Sequence, residues 1–238
     1  MVMKKGFWII LCMFFIPPVT FAGNMKLHYD RPAEYFEEAL VIGNGTMGAT
    51  LYGGVKKDKI SFNDITLWTG EPESENSSPD AFNTIPEIRA LLDNEDYQGA
   101  DKAQYKVQGH YSENYQPLGT LTIEYLDDTA GISDYHRWLD IGNATARTQY
   151  LKDGELFTSD YFASAPDSVI VIRLKSENKE GIHALLSFDS PLPHSSQVAD
   201  NEISVEGYAA YHSFPVYYKA EDKHRYDPER GIHFTTLV

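Results

Sequence analysis

Apolar and polar side chains alternate with a period of two over much of this chain. Lys59 to Phe62 and Thr120 to Tyr125 both show it, and that period predicts strands with one buried face. Ala49 to Tyr52, set between glycines, extends the series, as do Leu185 to Phe188, Ile203 to Val205 and Ile232 to Val238. Asp153 and Gly154 separate two strand-like arms that run from Thr145 to Tyr161. That dipeptide accepts the positive φ angles of a two-residue hairpin turn. Ser168 to Lys175 carries Val169, Ile170, Val171 and Ile172 in unbroken succession, which predicts a strand buried on both faces. One stretch has a different period. Ile88, Leu91 and Leu92 recur at helical spacing behind the start signals Thr84 and Pro86. Tyr97, Ala100, Ala103, Gln104 and Val107 give a second, weaker helical pattern. Glu71 to Pro79, rich in Glu, Ser, Asn and Pro, predicts a loop. There is no internal repeat. The fold class is therefore mostly β: a large β-sandwich with a short helical insertion at about residues 84–107.

The N-terminus follows another rule. Lys4 and Lys5 precede an apolar run from Phe7 to Phe15, Pro17 and Pro18 break it, and Thr20, Phe21 and Ala22 offer a cleavage site. This is the layout of a secretory signal peptide over residues 1–22, cut near Ala22, and it predicts a secreted or periplasmic protein. The run is shorter than the roughly 20 residues a membrane span needs. Residues 23–238 then form the N-terminal sandwich domain. The chain closes on Thr235 to Val238, apolar and β-prone with no polar tail, which predicts a truncated or excised domain. Cys12, the single cysteine, leaves with the signal, so the mature chain has no disulfide and no thiolate site. Its stability must come from its core, for which about 215 residues suffice.

Charge narrows the partners. The chain carries 35 acidic and 20 basic residues, a formal charge of −15, and losing Lys4 and Lys5 makes it more acidic. Nucleic acid and anionic membranes need clustered cations, so neither is expected as a partner once the signal is gone. A neutral glycan remains compatible. Aromatic residues make up 13% of the chain, with 16 Tyr, whose flat apolar face and polar tip suit sheets and polar ligands alike.

Candidate chemistry is sparse. Gly43 to Gly48 fits G-x-G-x-x-G, but the residues that follow are β-like where a dinucleotide site needs a helix, so a strand-to-strand turn is the better account. The His residues are scattered without ligand spacing, so no metal and no cofactor are expected. Glu37 and Glu38 are an acidic pair of the kind that serves glycoside chemistry, yet adjacency does not place them across a scissile bond. No catalytic residue is assigned. The most unusual stretch is Asn63 to Gly70, where amide, carboxylate and the indole of Trp68 come together at a strand end. Such groups fit a sugar or a domain interface, with interface preferred for Trp68. Asn63, Asp64, Trp68, Tyr115 and Gln116 are the interface or sugar-rim candidates.

At these residues the sequence resembles the N-terminal domain of glycoside hydrolase family 95, the α-L-fucosidase type, some of whose members act on α-L-galactosides. Ala39 to Ala49, Phe62 to Gly70, Tyr115 to Leu121, Tyr135 to Ile141 and Phe162 to Val171 resemble five motifs of that family in order. Asp64 departs from its usual Glu, and Thr120 from its usual Asp. The resemblance implies a secreted inverting α-L-fucosidase that removes terminal α-L-fucose, or α-L-galactose, from glycans. Its acid and base lie on an (α/α)₆ barrel missing from this chain. That barrel and fucosylated glycans are then the expected partners, and this chain alone is expected to be inactive. The rival reading is a free-standing carbohydrate-binding module without catalysis.

Overall fold

A computed structural model describes residues 25–72, 80–109 and 111–238. The expected signal segment and most of the Glu71 to Pro79 stretch lie outside the described residues.

The chain is mostly β, built around two five-stranded antiparallel sheets. The first contains β1 (Lys26–Tyr29), β6 (Ile132–Asp140), β7 (Thr145–Lys152), β8 (Glu155–Ser164) and β9 (Val169–Ser176), in that spatial order. The second runs β10 (Ala184–Asp189), β5 (Gly119–Tyr125), β4 (Lys57–Asp64), β3 (Met47–Leu51) and β2 (Leu40–Gly43). A smaller sheet pairs β11 (His194–Ala199), β12 (Glu202–Tyr208) and β15 (His233–Leu237), and two short strands, β13 (His212–Ser213) and β14 (His224–Arg225), pair with each other. Among the described residues no helix is long and apolar enough to cross a membrane.

The period-2 pattern sets the core. In β5, Leu121, Ile123 and Tyr125 point inward with Ile60 of β4, Leu51 of β3, and Leu40 and Ile42 of β2. Ala146 of β7 and Tyr161 of β8 meet them from the opposite sheet, and Val205 of β12 joins the same cluster. A second cluster, Leu67, Leu192 and Ala209 with Leu118 and Phe234 against it, lies under the loops that follow β4.

Two polar groups are buried within this apolar frame. Asp58 stands on the inward face of β4 at 1% exposure; it accepts from the Tyr161 hydroxyl at 2.8 Å and from the Gly54 N–H at 2.8 Å. The second bond needs the tight turn before β4: a Cβ on Gly54 would lie 2.0 Å from the Lys57 carbonyl oxygen, so only glycine fits. Arg137 of β6, also at 1% exposure, donates to the carbonyls of Arg31 and Glu38 at 2.8 Å each and lies 4.2 Å over the Tyr29 ring. It thereby pins residues 29–38 against the first sheet.

The Asp153 and Gly154 hairpin forms between β7 and β8, with φ 53° and 85° at its two turn residues. The G-x-G-x-x-G segment is a turn between β2 and β3, where Asn44 Oδ1 accepts from the N–H groups of Thr46 and Met47. The helical insertion is α1 (Ala81–Asp93) and α2 (Tyr97–Gln104). It begins before Pro86, which sits inside α1 instead of opening it. The partner lost to proline is the carbonyl of Phe82, an exposed residue, so the helix tolerates it. Asp96 caps α2 by accepting from the Gly99 N–H.

One expectation is corrected. The Val169 to Lys175 run is not buried on both faces: it forms β9, an edge strand, with Val169, Arg173 and Lys175 exposed. Its inward residues Ile170, Ile172 and Leu174 are only half-buried against the core.

Candidate functional site

The five candidate residues gather at one end of the sandwich, where β4 runs out and the chain returns before β5. Asp64, the last residue of β4, folds the turn after it: its Oδ1 accepts from the Thr66 N–H at 2.8 Å and the Thr66 hydroxyl at 2.5 Å. Asn63 Oδ1 accepts from the Leu118 N–H at 3.3 Å. Gln116 is buried, and its N–H donates to the Leu67 carbonyl at 2.9 Å. Asp64 and Asn63 through one side-chain oxygen each, and Gln116 through its backbone, hold the loops in place.

Trp68 and Tyr115 are different. They form a backbone bridge between the two strips, and their rings lie 5.4 Å apart at 49°. Both stay open to solvent, at 44% and 43%. The Trp68 indole N–H is already used, donating to the Ile65 carbonyl at 3.0 Å. What this pair presents outward is therefore flat apolar surface, suited to another protein surface or a sugar face.

The structure adds residues that the sequence reading did not single out. Glu113 receives the Thr69 hydroxyl, the Ser213 N–H at 3.2 Å and the His212 ring at Nδ1, 2.9 Å away. Asn114 ties the same loops, donating from Nδ2 to the Ser213 carbonyl at 2.9 Å. Beside it an aromatic group forms: Phe214 stacks on Tyr218 at 4.7 Å, and Tyr111 meets Tyr218 and Tyr217 edge-on at 5.4 and 6.4 Å. Arg230 lies 3.6 Å over the Tyr211 ring and pairs with Glu71. The hydrogen bond from Arg230 holds the Glu71 carboxyl below its ordinary range. The one sequence signal for this surface is the density of aromatics between Tyr208 and Tyr226. Their partners Tyr111 and Glu113 lie about a hundred positions earlier.

This arrangement does not make a hydrolytic centre. A nucleophilic triad needs serine on the histidine that the carboxylate orients. Here Glu113 orients His212, whereas the Ser213 hydroxyl meets His224 at 2.8 Å, and Ser213 is buried. Glu113 is committed to three donors and is not poised as a free acid or base. Glu38 is unsuited to general acid work as well. The Glu34 N–H and then Arg31 lower its pKa, where a general acid needs it raised. Among the described residues no group of three or more His, Cys, Asp or Glu is placed to hold a metal ion.

Comparison with known proteins places the chain among domains of glycosyl hydrolases. The family model described as "Glycosyl hydrolase family 65, N-terminal domain" matches residues 27–238. Alpha-L-fucosidase 2 of Arabidopsis thaliana is 30% identical over 221 residues, covering 90% of this chain and 26% of that protein. Probable alpha-fucosidase A of Aspergillus niger is 28% identical over 179 residues, 71% of this chain and 22% of its own length. The corresponding protein of Aspergillus oryzae is 28% identical over 145 residues, 58% of this chain and 20% of its own length. The chain thus spans about a quarter of the length of these curated relatives or less. By the match across nearly all its described length, the chain belongs to the glycosyl hydrolase family 65 N-terminal domain family.

Proposed function

We propose that this chain is the front β-sandwich of a secreted, inverting α-L-fucosidase of the family 95 type, which removes terminal α-L-fucose from glycans. The observation that carries this reading is the relationship to three curated proteins named as fucosidases, each matched over about a quarter of its length or less. Five motifs in order, Ala39 to Ala49 through Phe162 to Val171, support the finer family placement. The charged start and apolar run before Ala22 support export.

In this reading the acid and base stand on a catalytic domain elsewhere in the polypeptide. Single displacement needs two carboxyl groups roughly 6.5–9.5 Å apart on opposite sides of the sugar, with room for a water between one of them and the anomeric carbon. Glu38, Glu71 and Glu113 are each tied to a cation or to several donors. The sandwich's part is to buttress the catalytic domain. The Trp68 and Tyr115 pair, its indole N–H already satisfied, is the surface that meets it.

A second reading, glycan binding without catalysis, draws on the exposed Tyr111, Tyr217 and Tyr218 group, whose rings suit stacking on a pyranose. The experiment is to assay the chain and the full polypeptide side by side on an activated α-L-fucoside and on 2′-linked fucosyl oligosaccharides. Turnover is expected from the full polypeptide and not from the chain. Turnover that follows the chain through purification and disappears on changing one of its own carboxylates would overturn the proposal. Glycan binding by the chain with no hydrolysis by the full polypeptide would favour the second reading.

A further inference from the structure

A run of rings leads outward from the end of the sandwich where β13 and β14 pair. It starts at Glu113, whose carboxylate meets the His212 ring at Nδ1, 2.9 Å away. His212 and Phe214 meet edge-on at 4.5 Å and 88°. Phe214 stacks on Tyr218 at 4.7 Å, Tyr218 meets Tyr111 at 5.4 Å and 61°, and Tyr111 meets Tyr217 at 6.4 Å and 77°. Exposure rises along the run. Glu113 and His212 are largely covered, Tyr218 and Tyr111 are 39% and 44% exposed, and Tyr217 is 75% exposed. The inner end is thus tied to the fold and the outer end is open to solvent. The loop that carries Tyr217 and Tyr218 is fixed as well. The Phe214 N–H donates to the Lys223 carbonyl and the Tyr218 N–H to the Pro215 carbonyl, at 2.9 Å each, and Lys223 Nζ donates to the Val216 carbonyl at 2.7 Å. Rings held in place before a ligand arrives lose little conformational entropy on binding it.

The make-up of this shelf selects its ligand. An open tyrosine ring offers a flat apolar face with a hydroxyl at its rim. A pyranose offers the complement, an apolar face of C–H bonds ringed by hydroxyls. The residues that follow the tyrosines carry both signs of charge, Lys219 and Lys223 against Glu221 and Asp222, on a chain of net charge −15. That balance gives no positive field to draw in a sulfated or uronic glycan, which leaves a neutral one. Lys219, Glu221 and Asp222 are also exposed. Charged groups are depleted from the centres of protein interfaces because burying them costs desolvation, whereas beside a stacked sugar they stay wet. The place of the shelf fits as well. Asn114 stands between Glu113 and Tyr115 and donates to the Ser213 carbonyl, so the shelf adjoins the Trp68 and Tyr115 pair at the margin of the surface assigned above to the catalytic domain.

We propose that Tyr111, Tyr217 and Tyr218 form a subsite for a neutral pyranose of the glycan chain. On the fucosidase reading, on which this rests, that pyranose lies beyond the fucose that the catalytic domain removes. Its C–H face stacks on the open Tyr217 ring, and the subsite raises affinity for longer glycans without touching the reacting bond.

The test changes Tyr217, the most exposed of the three, to Ala and to Phe in the full polypeptide. Kinetics are measured on a small activated α-L-fucoside and on 2′-linked fucosyl oligosaccharides. Saturation-transfer NMR reads binding of the same neutral oligosaccharides after their fucose has been removed. Tyr217→Ala should raise the KM for the oligosaccharides about fivefold relative to the KM for the small fucoside, and should weaken saturation transfer to the pyranose C–H protons. Tyr217→Phe keeps the ring and should keep both the KM ratio and the transfer. A KM ratio that stays where it was in Tyr217→Ala would overturn the subsite, as would undiminished saturation transfer. If the full polypeptide turns over neither substrate, the fucosidase reading falls, and the saturation-transfer comparison by itself decides whether the shelf binds a pyranose.

Discussion

Asp58 couples this fold to pH in a way that can be measured by one substitution. Its carboxyl is buried between the two large sheets, and desolvation pushes it up from an ordinary 3.8 to about 6. The Gly54 N–H and the Tyr161 hydroxyl oppose the rise without cancelling it. Between those two values the folded chain holds a proton that the unfolded chain has released. Folding stability attached to this group is therefore fully present below about pH 4 and is lost as pH rises through about 6. At 1.36 kcal/mol per pK unit, the loss is about 3 kcal/mol. Asp58→Asn removes the titration while keeping an oxygen for Gly54 and an amide for the Tyr161 hydroxyl. Urea unfolding followed by tryptophan fluorescence, from pH 4 to pH 7.5 at fixed ionic strength, compares the two proteins. The stability of the native protein relative to the variant should fall by about 3 kcal/mol across this range. For a urea slope of about 3 kcal/mol/M, that is a relative midpoint shift of about 1 M. Taking the difference cancels the carboxylates that titrate alike in both, such as Asp128 and Asp140, whose bonded partners lower them. Parallel pH curves for the two proteins would refute the reasoning, because they would mean that Asp58 is ionised in the core at no cost.

Two further substitutions test other contacts. Arg137→Ala deletes two charge-assisted bonds to carbonyls and the stack on Tyr29, and should destabilise by about 3 kcal/mol. Arg137→Lys should rescue little of this, since one ammonium cannot reproduce the guanidinium fork, and in both variants proteolysis between residues 30 and 38 should accelerate. Trp68→Ala in the full polypeptide should lower the melting temperature and uncouple domain unfolding while leaving kcat within a few-fold. A large loss of kcat with unchanged melting would show direct sugar contact instead.

Much of the sheet was legible because strand periodicity is local. Thr120 to Tyr125, Lys59 to Phe62 and the Asp153 and Gly154 hairpin each carry their own pattern, and each forms where that pattern puts it. The five candidate residues also meet at one end, since Asn63 to Gly70 and Tyr115 to Leu121 are neighbours through β4 and β5. What the local pattern lacked was the identity of the partner across space. Asp58 stands between two lysines, yet alternation along β4 sends it inward to Tyr161, 103 positions away. The β-branched run of β9 has the composition of a central strand, but its place at an edge depends on which strands the chain brings beside it. Glu113, His212 and Ser213 come together only because two loops nearly a hundred residues apart close over the same end. Side-chain type and period determined which faces would be apolar; only the packing of distant strands decided which of those faces were covered, and which polar groups were enclosed with them.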